Sequence, residues 1–106
     1  MSTLSVLLKK FLQKITSSRV DFDDGSYIEY VDLGVIRYTE RDGYQMYVGW
    51  HYEPKFRTKR TIHASDISSW AAPHKDDAVS PAKQEEIVQK ILQYAKKGKV
   101  SLEIQR

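Results

Sequence analysis

The chain has 106 residues, no cysteine, 41% hydrophobic and 29% charged residues, and a formal net charge of +3. A chain of that length is one domain, able to bury roughly 65% of its unfolded surface in a single core. The lack of cysteine excludes disulfides and thiolate metal sites, and no apolar run approaches the ~20 residues that a membrane-spanning helix needs.

Leu4, Leu7, Leu8, Phe11, Leu12 and Ile15 recur at the spacing of one helical stripe, with Lys9, Lys10 and Lys14 on the far side. The spacing predicts a helix over residues 3–16. Its lysines fall inside the apolar run rather than before it, unlike a secretory signal, and the chain is expected to be cytoplasmic. Val20 and Phe22 then alternate with charged residues, and Asp24-Gly25 signals a turn. Residues 27–33 and 35–39 are rich in aromatic and β-branched side chains and predict two strands, with a bulge or corner at Gly34. Glu40 to Gly43 predicts a tight hairpin loop.

Residues 44–52 carry the clearest alternation. Tyr44, Met46, Val48, Trp50 and Tyr52 share one face; Gln45, Tyr47, Gly49 and His51 share the other. Such a period predicts a strand with one buried and one solvated face, and it places Trp50 and Tyr52 in the core. Pro54 is expected at the strand's end or on an edge. Residues 61–64 predict a short further strand, and residues 65–79 a helical turn and a connector. Ser80-Pro81 opens a helix as N-cap and first residue. Ile87, Val88, Ile91, Leu92 and Ala95 form its apolar stripe, and Gly98 is its expected C-terminal stop. Val100, Leu102 and Ile104 alternate in a closing strand, free to pair parallel to a central one. The fold class is therefore α+β: a mainly antiparallel sheet of five to six strands, an N-terminal helix, and a second helix before the last strand.

No pattern for catalysis emerges. His51, His63 and His74 lack metal-site spacing, and the Asp21, Asp23, Asp24 cluster breaks the calcium-loop pattern and reads as a solvated hairpin corner. There is no nucleophile elbow or phosphate-cradling glycine loop. The expectation is a protein without catalytic residues, cofactor or metal.

The stretch WHYEPKFRTKR, residues 50–60, is the candidate interface. It sets aromatics before Lys55, Arg57, Lys59 and Arg60. Cations and rings at this density fit a nucleic-acid groove, a protein-docking patch, or a solvated loop. The candidate partner-binding residues are Tyr47, His51, Lys55, Phe56, Arg57, Lys59 and Arg60.

Ile67, Trp70 and Pro73 form an I-x-x-W-x-x-P element, followed by a capped amphipathic helix and a V-x-L-x-I strand. With the two Asp-Gly hairpins, this layout over residues 20–105 resembles small α+β immunity proteins of bacterial polymorphic-toxin and contact-dependent inhibition systems. The resemblance implies a cytosolic protein that binds and blocks one cognate toxin domain, often a nuclease. It carries over no catalytic residue. Trp70 is expected as a core plug and Pro73 as a loop stiffener. Inhibitors of nucleases are often acidic, whereas this chain is slightly basic. Contact therefore falls either to an acidic face over residues 21–32 or to cations meeting toxin carboxylates. A small RNA- or DNA-binding module using residues 55–60 is the alternative.

Overall fold

The computed structural model of the chain describes residues 19–53 and 56–106. The helix expected over residues 3–16 lies outside them, as do Pro54 and Lys55. The described residues form seven strands and one α-helix. The class is α+β, but the strands form two sheets rather than one sheet of five to six.

The first sheet is an antiparallel meander of β1 (Arg19–Asp21), β2 (Tyr27–Asp32), β3 (Val35–Thr39) and β4 (Gln45–Gly49). Each connection is a short turn whose glycine has positive φ: Gly25, Gly34 and Gly43. A left-handed residue lets the chain reverse within two to four positions. At Glu40–Gly43 the loop is closed by Gly43 N–H donating to Glu40 O (2.9 Å) and Glu40 N–H donating to Tyr44 O (2.8 Å). The bulge falls at Val31, where register slips between Tyr30 and Asp32, and Gly34 supplies the turn.

β5 (His51–Glu53) follows β4 after a single residue, Trp50. Trp50 N–H still donates to Gly34 O of the β2–β3 turn (2.9 Å), but His51 and Tyr52 already pair with Thr61 and Arg60. One strand thus leaves the first sheet and enters the second. β6 (Phe56–His63) is far longer than the short strand expected at residues 61–64, and it takes in Arg57, Lys59 and Arg60 of the basic stretch. β7 (Leu102–Gln105) runs parallel to β6.

The helix α1 (Pro81–Lys97) lies against the inner faces of both sheets. Ser80 caps it, its side chain accepting from Lys83 N–H at 3.1 Å. Ile87, Val88 and Ile91 are fully buried and pack with Ile28, Ile36, Tyr38, Met46 and Val48 of the first sheet and Ile62 of β6. Each such aliphatic side chain contributes roughly 1.5–3 kcal/mol relative to exposure. Ile67 and Trp70 close the remaining side of the core. Trp70 meets Tyr38 and Tyr44 with ring centroids 6.4 and 5.3 Å away. Its loop is pinned by Ala71 N–H to Gln45 O (2.7 Å) and by Gln84 Nε2 donating to the carbonyls of Ala64 and Ile67 (2.7 and 3.1 Å).

The helix stops one residue later than its glycine suggests. Gly98 has φ −81, and Lys99 takes the left-handed conformation at φ 55. Lys99 N–H donates to Lys96 O (3.2 Å) and Val100 N–H to Ala95 O (2.8 Å), the paired bonds of a Schellman motif centred on Lys99.

Two substitutions test this packing by chemical denaturation. Trp70→Ala should destabilise the chain by about 3–5 kcal/mol, since the space its indole fills against Tyr38 and Tyr44 cannot refill. Lys99→Gly should stabilise it by about 0.5–1 kcal/mol: relief of a left-handed side chain outweighs the added freedom of the unfolded chain.

Candidate functional site

Alternation along residues 45–53 and along β6 sorts the candidate residues onto opposite faces. Register pairs Arg19 with Glu29, Glu29 with Arg37, and Arg37 with Tyr47, so these four cross the outer face of the first sheet in one row. Arg37 donates to Glu29, and Glu29 first, then the neighbouring Tyr47, raise its pKa. Arg19 pairs with Asp21 (2.9 Å) and lies 3.7 Å over the Tyr27 ring. Tyr47 is 51% exposed in this setting. His51 continues the outer face and stands 5.8 Å from His63, ring to ring. Lys59 is on the same side of the second sheet and forms an ion pair with Glu103.

Arg60 is on the inner side. It pairs in register with Tyr52, and its guanidinium lies 5.4 Å from the Tyr52 ring and 5.6 Å from Trp50. The basic stretch is therefore not one continuous surface. Lys55 lies outside the described residues, and Phe56 and Arg57 enter as positions on β6. Tyr52, expected in the core, is 52% exposed. The strand has passed into the second sheet by then, so Tyr52 stands at the rim of a cavity instead of under the helix.

That cavity, of about 490 Å³, opens between the two sheets and the C-terminal end of α1. Tyr30, Trp50, Tyr52 and Tyr94 form aromatic walls, and Ile36 and Leu102 line it deeper. Two buried donors, Trp50 Nε1 and Arg60 Nε, have no hydrogen-bond partner. The charged residues among its described lining are Arg19, Arg60 and Lys97, all cations.

A second polar cluster sits under the first hairpin. The helix stripe that buries Ile87 and Ile91 also buries Lys90. Its ammonium donates to Asp24 Oδ2 (2.5 Å), Ser26 Oγ (2.9 Å) and Tyr38 OH (3.2 Å), using all three N–H groups. Asp24 is half exposed at the hairpin corner, as expected from sequence, but it also pairs with this buried ammonium. Lys90 first, then the Ser26 hydroxyl and amide, hold its carboxyl well below the usual range. Tyr38 OH donates to Glu40 (3.2 Å), and Glu40 accepts from Lys83 (2.7 Å), which also reaches Glu86 (2.7 Å). Burial, then Glu40, pushes the Tyr38 phenol up, while Glu40 and Glu86 push Lys83 up. Ser26 beside Lys90 looks like a nucleophile beside a base. An ammonium that spends every proton on a fixed acceptor has no lone pair to offer, and a carboxylate held this low is a poor proton acceptor. The cluster works as a tie between α1 and the first sheet.

The three histidines do not converge. His74 stacks on Tyr44 at 3.7 Å and approaches Asp77 at 3.6 Å, in the loop after Trp70 and apart from His51 and His63. Among the described residues, no group of three or more metal-binding side chains is present, and no helix is long and apolar enough to cross a membrane. Arg106 closes the chain onto α1, holding Glu85 down to about 2. No known family, curated protein or solved structure matches the chain.

Sequence reasoning missed the cavity and the Lys90 tie. The second left a signal: Ile87, Lys90, Ile91 and Tyr94 share one helical stripe, and a cation on that stripe needs an acid.

Asp24→Asn tests the tie. Breaking a fully buried ion pair costs about 3–5 kcal/mol, and because the Asp24 side chain is half exposed we discount this to about 1–2 kcal/mol at neutral pH. The Asp24 pKa is depressed in the folded state, so its stabilisation is complete above the ordinary value of 3.8 and is lost as pH falls below it. The stability gap between the native chain and Asp24→Asn, measured by urea titration, should therefore shrink as pH drops from neutrality into that range.

Proposed function

We propose that this protein is an immunity protein that binds and occludes a cognate bacterial toxin domain, docking through the outer face that carries Tyr47 and His51. The exposure of Tyr47 carries the reading. A half-exposed tyrosine ends a row across the sheet face whose other members, Arg19, Glu29 and Arg37, are already paired. Fixed, internally neutralised charges around an exposed ring are cheap to cover, since little side-chain freedom or unpaired charge is lost. Leu33, 88% exposed, is at the tip of the β2–β3 turn, whose Gly34 O accepts from Trp50 N–H where the strand changes sheets.

The same geometry disfavours a phosphate-tracking groove. Such a groove needs neighbouring cations turned the same way, whereas Lys59 pairs with Glu103 and Arg60 lies on the opposite face. The layout that resembles immunity proteins supplies the partner's class.

Co-expression with the product of the neighbouring upstream gene is the test. The tagged chain should retain that product and protect cells from it. Tyr47→Ala combined with His51→Ala should weaken the complex at least about tenfold, a hot-spot effect of roughly 1.4 kcal/mol or more. Thermal stability should change little, because both side chains are exposed. Retention of RNA or DNA in its place, or neither binding nor protection, contradicts the reading.

A further inference from the structure

We propose that the cavity between the two sheets and the C-terminal end of α1 is a binding site for a small organic acid with an aromatic or branched apolar body and one carboxylate. The inference does not rest on the docking reading, because Tyr47 and His51 lie on the other face of the strand. A volume of about 490 Å³ suits a small molecule. The walls of Tyr30, Trp50, Tyr52 and Tyr94 offer flat faces to an apolar body.

Arg60 selects the charge. Arg19, Arg37 and Arg106 each hold a carboxylate, whereas Arg60 has two aromatic rings and no acid among the described residues. Its Nε is buried without an acceptor, as is the neighbouring Trp50 Nε1. A guanidinium that lines a cavity with no acid in the described lining is a ready partner for an incoming carboxylate. Arg19 is spent on Asp21, so Lys97 adds the second available cation at the end of the helix. No carboxylate is found in the described lining, so the field inside favours one negative charge, and the low-polarity walls concentrate it. A neutral apolar molecule would fill the volume but leave the Arg60 guanidinium without an acid.

The full chain is titrated with 4-phenylbutyrate and, separately, with the matched alcohol 4-phenylbutan-1-ol. Binding is read from the two tryptophan indole N–H resonances. Trp70 is an internal control, since it packs against Tyr38 and Tyr44 and does not line the cavity. The acid should shift the Trp50 signal saturably, leave Trp70 in place, and bind at least about tenfold more tightly than the alcohol, the preference one desolvated charge-assisted pair supports. Raising salt should weaken the acid and not the alcohol. Arg60→Gln should abolish the preference, and Lys97→Gln, at an exposed position, should reduce it with the fold intact. No saturable Trp50 shift up to about 10 mM, equal affinity for acid and alcohol, or a folded Arg60→Gln chain that still prefers the acid would overturn the proposal. If Arg60→Gln does not fold, the acid–alcohol comparison and its salt dependence decide the matter on the native chain.

Discussion

Everything recognisable on the surface of this protein follows from one strand serving two sheets. Residues 45–49 pair with β3, and residues 51–53 pair with β6, with only Trp50 between them. Side chains on a strand must alternate, so the passage through Trp50 sends Tyr47 and His51 outward and Trp50 and Tyr52 inward. The second sheet diverges from the first at this point. Divergence leaves a gap that α1 cannot fill at its C-terminal end, and the gap is the aromatic cavity. The outer face proposed for docking and the inner cavity are thus two sides of the same few residues.

The helix holds the arrangement in place. Its aliphatic stripe touches both sheets, and the Lys90 ammonium reaches into the first hairpin through Asp24, Ser26 and Tyr38. A buried cation of this kind adds little net stability compared with an apolar side chain of similar size. Its acceptors are few and fixed, however, so it sets the position of the helix over the sheet. The polar chain from Asp24 to Glu86 therefore reads as a register device, with its protons locked in place. At the other end of the helix the Schellman turn at Lys99 directs the chain into β7, which completes the second sheet beside β6.

Much of this was legible in the sequence. The Asp24-Gly25 and Asp42-Gly43 turns, the Ser80-Pro81 start and the alternation from Tyr44 onward each name a local conformation through one physical preference. Where reading failed, a nonlocal partner had overruled the local signal. Residues 56–60 look like a charged loop, yet they form the first half of β6, paired to β5 at Phe56 and Arg60, with β7 joining from Arg60 onward. Tyr52 follows the core alternation perfectly but is exposed, because the alternation continues after the strand has changed sheets. Gly98 offered the obvious helix stop, and the Schellman bonds chose Lys99. Of the candidate site, the residue types were legible and their division between two faces was not. A seven-residue set drawn from one stretch cannot be assigned to faces until the pairing partner of each strand is known.

The central claim is that outer-face residues of the two-sheet strand meet a macromolecular partner while the inner residues do not. Side-chain footprinting by hydroxyl radicals, on the chain alone and saturated with its partner, tests it most directly. Tyr47 and Tyr52 begin almost equally exposed, at 51% and 52%, so their reactivities compare without correction. The expected result is protection of Tyr47 and His51 in the complex, with Tyr52 still reactive. Undiminished reactivity of Tyr47 in a saturated complex, or protection of Tyr52 alone, would contradict it.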